Sequence, residues 1–153
     1  MTSTQVRRLL NAPRARVYRA LTSAEDIATW KVPTGMSIQV HAFEGREGGT
    51  FRVSLTYQAP TGTGKTTDHT DTYHGHFAEL VPNERVVEVL EFETTDPALQ
   101  GEMTITTTLA DADGGGTELV AVHDHLPPGV RPADNELGWR ESLDKLAAVV
   151  EKG

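Results

Sequence analysis

The sequence predicts an α+β fold, one long helix laid across a curved antiparallel sheet, and three observations carry that prediction. Near the C-terminus, Trp139, Leu143, Leu146 and Val150 recur at i, i+4, i+7 and i+11 with Ala147 filling in. Residues 134–151 therefore predict a helix of about five turns with one apolar face. Upstream, Phe51, Val53, Leu55 and Tyr57 alternate with Arg52, Ser54, Thr56 and Gln58, the period of a strand buried on one side. Clusters of Gly, Pro, Asn and Asp separate such runs, and no internal repeat, low-complexity tract or linker divides residues 1–153, which read as one domain. An apolar helix face and a set of half-buried strands each need a partner, and each supplies what the other lacks.

Residues 5–10 predict the first strand, and Asn11-Ala12-Pro13 breaks it, with proline suited to open a short helix. Val17, Ala20, Leu21 and Ala24 mark the buried side of that helix, and Ser23-Ala24-Glu25-Asp26 caps a second one running through Ile27 and Trp30. Pro33 and Gly35 end the pair. Met36, Ile38, Val40 and Ala42 then alternate as a strand, Gly48-Gly49 turns the chain, and the strand at 51–58 follows. A polar loop at 61–68 leads to a strand at 71–80, which ends in the turn sequence Val81-Pro82-Asn83-Glu84. Residues 85–94, 102–109 and 117–125 predict three more strands, separated by Asp96-Pro97 with Gly101 and by the glycine-rich segment 111–116. Pro127-Pro128-Gly129 leads into the long helix. Pro132 suits its start and Asp134 or Asn135 can cap it, while Gly138 weakens its first turn. Its outer face carries Arg140, Glu141, Asp144, Lys145 and Lys152, with Glu141 and Lys145 at the favourable i, i+4 spacing.

Composition narrows the function classes. With 37% hydrophobic and 24% charged residues the chain is ordinarily globular, and its longest apolar run, 146–150, is far too short to insert in a membrane. The first ten residues lack the apolar stretch of a secretory signal, so the cytoplasm is the expected compartment. Zero cysteines exclude disulfides, a thiolate nucleophile and thiolate metal sites. A net charge of −8, with only Arg7 and Arg8 as a basic cluster, argues against nucleic acid or an anionic membrane surface as partner.

The order of elements, with residues at its landmarks, resembles the START-like (SRPBCC) helix-grip superfamily. It is most similar to the branch of the C-terminal domain of the activator of heat-shock-protein ATPase and of polyketide cyclase-like proteins. The landmarks span nearly the whole chain. They begin with Asn11-Ala12-Pro13, Val17-Tyr18-Arg19-Ala20-Leu21, Trp30, Pro33 and Gly35, then Glu47-Gly48-Gly49-Thr50-Phe51. Gly75, Glu79-Leu80-Val81-Pro82 and Arg85-Val86 follow, and then Gly116-Thr117, His123, Gly138-Trp139 and residues 143–146. The resemblance implies a seven-stranded curved antiparallel sheet with two short helices, gripping a C-terminal helix around a cavity. Members bind lipids, plant hormones or polyketides, a few cyclise polyketides, and one kind sequesters an enediyne. The implied partner is thus a hydrophobic small molecule, with no cofactor, held by a monomer or weak homodimer. A chaperone partner is the other class the resemblance raises, although nothing in this sequence corresponds to the N-terminal domain and linker that chaperone activators carry.

A concave sheet closed by one amphipathic helix can leave space for a ligand, and strand parity with the helix face nominates its lining. The candidates are Trp30, Phe51, Val53, Tyr57, Tyr73, Phe77, Phe92, Met103, Ile105, His123, Trp139, Leu143 and Leu146. The same residues would equally make an ordinary packed core. His74 with His76, and His123 with His125, stand two apart on their strands, so each pair is expected on one face, a spacing a divalent metal can use. In an acidic chain with six histidines such pairs also arise by chance. His123 shares parity with Leu119 and Ala121, which marks it as a polar group inside the pocket, bonding either a ligand or a buried neighbour. Acid–base chemistry, for a ring-closing or hydrolytic reaction, would set His123 beside Tyr73 or Glu91 within hydrogen-bond reach. No glycine-flanked nucleophile elbow is present. Ala59 to Thr66 comes within one residue of a phosphate-binding loop, but β-branched strand sequence follows where that loop must open a helix, so a hairpin loop bordering the pocket mouth is the reading.

Overall fold

The computed structural model describes residues 2–58 and 70–151. The expected loop at 61–68 and the near-miss phosphate motif from Ala59 to Thr66 lie outside the described residues. Strand β1 (Thr2–Leu10) is followed by α1 (Arg14–Thr22) and α2 (Ala24–Trp30), then β2 (Met36–Phe43), β3 (Thr50–Tyr57), β4 (Thr70–Val81), β5 (Arg85–Phe92), β6 (Met103–Asp111) and β7 (Thr117–Leu126). A single 3₁₀ turn joins β6 to β7, and α3 (Pro132–Val150) completes the order. All seven strands form one antiparallel sheet in the order β1-β7-β6-β5-β4-β3-β2. This is the expected α+β helix-grip architecture: α3 lies across the concave face, with α1 and α2 beside it.

Bends in the strands make that face concave. One extra residue enters β2 between Val40 and Ala42 and another enters β4 between Phe77 and Glu79, each a bulge that increases local twist. Gly75 permits a close approach besides: a Cβ there would stand 2.1 Å from the Val89 carbonyl oxygen, so β4 and β5 meet here only because the side chain is absent. Inside the curve lies one core, to which Leu119 of β7, Leu143 and Leu146 of α3, Val17 and Ala20 of α1, and Trp30 of α2 all belong. The Trp30 indole N–H is satisfied by the Ala20 carbonyl at 2.8 Å. An aromatic row, Phe43 to Phe77 to Phe51 to Tyr73, runs down the far side with centroid spacings of 5.5, 5.2 and 6.2 Å.

Local details correct several expectations. Pro13 is the N-cap of α1 rather than its first residue, and Ala24 is exposed at the start of α2, where Ser23 caps as expected by accepting from the Asp26 N–H. Helix α3 starts at Pro132, so Asp134 and Asn135 lie inside it and the N-cap is Arg131, which makes no side-chain cap bond. The expected Glu141–Lys145 pair does not form. Lys145 donates instead to the carbonyls of Val32 and Pro33 at 2.7 and 3.3 Å, and Glu141 accepts from the Thr34 N–H at 3.2 Å. Both side chains tie the helix to the loop after α2 rather than to each other.

Candidate functional site

From Ser142 onward α3 packs against its neighbours, whereas its first half stands off the sheet and leaves a cleft of about 420 Å³. Leu55 and Tyr57 of β3, Tyr73 and Asp71 of β4, Leu90 and Phe92 of β5, Met103 and Ile105 of β6 and His123 of β7 line the sheet side. Gly138, Trp139 and Ser142 line the helix side, and Lys31, Pro33, Met36 and Arg131 also line the cleft. The volume falls within the roughly 300–1,000 Å³ typical of small-molecule pockets.

Seven of the thirteen expected lining residues are there: Tyr57, Tyr73, Phe92, Met103, Ile105, His123 and Trp139. Trp30, Phe51, Val53, Phe77, Leu143 and Leu146 belong to the buried core beyond the cleft. Their parity is inward as expected, but they lie where α1, α2 and the second half of α3 already fill the curve.

His123 is the hub of the polar wall. Its Nδ1 accepts from the Trp139 indole N–H at 3.2 Å and contacts the Asn135 amide nitrogen at 3.2 Å. Indole nitrogen only donates, so Nδ1 carries no proton, the neutral ring bears its hydrogen on Nε2, and that N–H points at the Met103 sulfur 3.2 Å away. With its amide nitrogen on His123, Asn135 presents its oxygen to the Thr4 hydroxyl, which donates at 2.5 Å. Burial, with the nearby Lys31 charge, lowers the His123 pKa to about 4, so the ring is neutral at physiological pH.

A buried ion pair flanks this hub. Lys31 Nζ lies 2.6 Å from Glu88 Oε1, and both side chains are almost wholly enclosed. Burial disfavours the ammonium charge, but Glu88 and Tyr73 more than offset it, and the Lys31 pKa is raised. Burial raises the Tyr73 pKa, opposed by Lys31 and reinforced by Glu88, so the phenol keeps its proton. Sequence reasoning passed over Lys31, Glu88, Asp71 and Asn135. A signal existed for Glu88, which shares inward parity with Val86 and Leu90 on β5, a position where a carboxylate demands a buried partner.

The paired-histidine expectation fares differently on the two strands, since the β4 pair shares a face and the β7 pair does not. His74 and His76 face the outer side of the sheet, where His74 bridges Glu91 at 3.1 Å and Glu93 at 3.0 Å. Hydrogen bonds from Arg52 at 2.8 and 2.9 Å, joined by His74, hold the Glu93 carboxyl at a pKa of about 2. A bulge opposite β1 puts His125 at φ 62°, exposed and out of step with His123. Among the described residues no group of three His, Asp or Glu side chains is gathered for a metal. The acid–base arrangement also differs from expectation. Glu91 is on the outer face, and Tyr73 reaches the cleft from β4 while His123 reaches it from β7. Two strands lie between them, a backbone separation on the order of 14 Å across a flat sheet, and no hydrogen bond joins them.

Among the described residues no helix is long and apolar enough to cross a membrane. A search of curated proteins finds no match. Among solved structures, protein CV1439 of Chromobacterium violaceum is similar over 100% of both chains at 31% identity, with a TM-score of 0.86. A Rhodobacter sphaeroides protein is similar over 98% of this chain and 92% of its own, at 23% identity and a TM-score of 0.79. DynU16, a protein in the dynemicin biosynthetic locus, shares the fold at 21% identity and a TM-score of 0.67, with 99% of this chain matching 48% of that one. A family match covers residues 11–151, from the break after β1 to the end of α3, and the chain therefore belongs to the family of Activator of Hsp90 ATPase homolog 1-like proteins.

Proposed function

We propose that this protein binds an apolar or amphipathic small molecule, such as a lipid, polyketide or aromatic metabolite, in the cleft beneath the first half of α3, without necessarily transforming it. One observation carries the reading. The helix that closes the core tightly over its second half leaves about 420 Å³ under its first half, walled by apolar side chains around a few convergent polar groups. A water-filled apolar space of that size costs free energy that a ligand would recover. A cytoplasmic compartment belongs to the same reading and is checked by cell fractionation.

The test is a thermal-shift screen against lipids, aromatic polyketides and flavonoids. A ligand at one hundred times its dissociation constant adds about 2.7 kcal/mol, about 5 to 10 °C for a chain of this size. The expected result is a shift of that size from one apolar class, abolished by Trp139→Ala in a protein that remains folded. Flat traces across all classes from folded protein would defeat the proposal.

A further inference from the structure

The buried polar groups that line the cleft differ in whether the protein itself completes their hydrogen bonds. Lys31 is held by Glu88, His123 by Trp139 and Met103, and Asp71 is engaged as well. Two hydroxyls are the exception. Tyr73 on the sheet side is 7% exposed and Ser142 on the helix side is 6% exposed, yet neither hydroxyl makes a hydrogen bond with a described residue. No fully buried polar side-chain atom among the described residues lacks a partner, so both hydroxyls keep a sliver of open space, and the space they line is the cleft. Both belong to its inner end: Ser142 is the residue at which α3 begins to pack, and Tyr73 is held edge-on by the core ring of Phe51.

An apolar group pushed into this end would seal both hydroxyls away from water without partners, a loss that offsets much of the gain from burying it. An oxygen there avoids the loss, since a hydroxyl, carbonyl or carboxylate oxygen accepts from either group. The rim makes no such demand. Arg131 and Asp134 also line the cleft but are exposed, so water satisfies them with or without a ligand, and Leu137 beside them offers apolar surface that is 57% exposed. We infer that an amphipathic ligand enters oxygen end first, seating that oxygen between the Tyr73 and Ser142 hydroxyls and running its apolar remainder out toward Leu137. An apolar pocket without those hydroxyls would take the same ligand tail first. The inference rests on the binding function proposed above and adds which group the ligand carries and which way it lies.

Two matched probes test it, butylbenzene and 4-butylphenol, which differ by one oxygen at the end opposite the chain. Binding is followed in the NMR signal of the Trp139 indole N–H, which lies in the cleft, with the core residue Trp30 as the unmoving control. The expected result is 4-butylphenol about tenfold tighter than butylbenzene. Tyr73→Phe and Ser142→Ala break no hydrogen bond among the described residues, and each should narrow that preference, because the phenol loses a partner while butylbenzene no longer strands a hydroxyl. Nuclear Overhauser contacts from the terminal methyl of bound 4-butylphenol should reach Leu137 rather than Met103 or Ile105, which are 1% and 2% exposed. Equal affinities, a preference left intact by either substitution, or terminal-methyl contacts to Met103 or Ile105 would each overturn the inference while leaving the binding proposal standing. If neither probe moves the Trp139 signal, both fail together.

Discussion

The two halves of α3 are held to the protein in different ways. From Ser142 on, Ser142, Leu143, Leu146, Ala147 and Val150 are buried, and polar contacts only trim the edges, with Arg8 paired to Asp144 and the Asn11 N–H donating to Glu151 at 2.8 Å. Before Ser142 no residue of the helix is buried. That half is propped by separate hydrogen bonds, from Asn135 and Trp139 to His123 and from the Thr34 N–H to Glu141. Burial needs matched surfaces everywhere, whereas props need only a few fixed points, so the propped half can span a cleft and the buried half cannot.

The sharpest way to break the comparison is the same substitution in each half. Leu146 is 0% exposed and Leu137 is 57% exposed. Leu146→Ala should cost about 4 kcal/mol in urea unfolding, transfer loss plus a residual cavity, while Leu137→Ala should change stability by less than about 0.5 kcal/mol. Similar losses at both sites would mean that the first half is packed after all.

Acid should weaken the props before the packing. The folded-state pKa of His123, about 4, lies below its ordinary value of 6.5, so between those limits the unfolded chain takes up a proton that the folded one refuses. Stability from this group is fully present above about pH 6.5 and is lost as pH falls toward 4, about 3 kcal/mol in all. Glu93 contributes in a separate window, lost only as pH falls from about 4.5 to about 2. Urea midpoints measured from pH 7.5 to 4.5 should therefore slope downward in the wild type and flatten in His123→Gln. An unchanged slope in the variant would remove His123 as the acid-sensitive prop.

The smallest effect sharpens the picture of the overhang. A Cβ on Gly138 would meet Pro33 Cγ at 3.6 Å, an ordinary contact. Gly138→Ala should thus raise stability by about 0.5 to 1 kcal/mol through helix propensity alone, read as a higher urea midpoint at constant slope. A lower midpoint would show that the overhanging turn has no room for a methyl group.

Element order and the helix face were legible because both are periodic properties of neighbouring residues. The apolar stripe of α3 and the alternation of 51–57 announce themselves locally. What escaped was set by residues distant in sequence. Whether Phe51 or Tyr57 meets the cleft depends on where α2 and α3 lie above β3, and both have the same parity. Lys31 and Glu88 are separated by 57 positions, and nothing local pairs them. His125 defeats parity because a single left-handed residue resets the alternation. Asn135, read as a helix cap, is displaced into the helix by a start two residues earlier and becomes the link between Thr4 and His123.

The pairing of β1 with β7 also orders events in time. Strands β2 to β7 form a meander whose successive members are sequence neighbours, so each can zip onto the one before. Strand β1 must wait, because Thr2 pairs with Leu126 and Leu10 with Thr117, across more than a hundred intervening residues. On a ribosome, the first strand synthesised is thus the last strand seated. Until α3 and β1 close together over β7, that edge is open to pairing with another nascent chain. Slow passage through residues 117–150 during translation is then the period in which this protein is most exposed to aggregation.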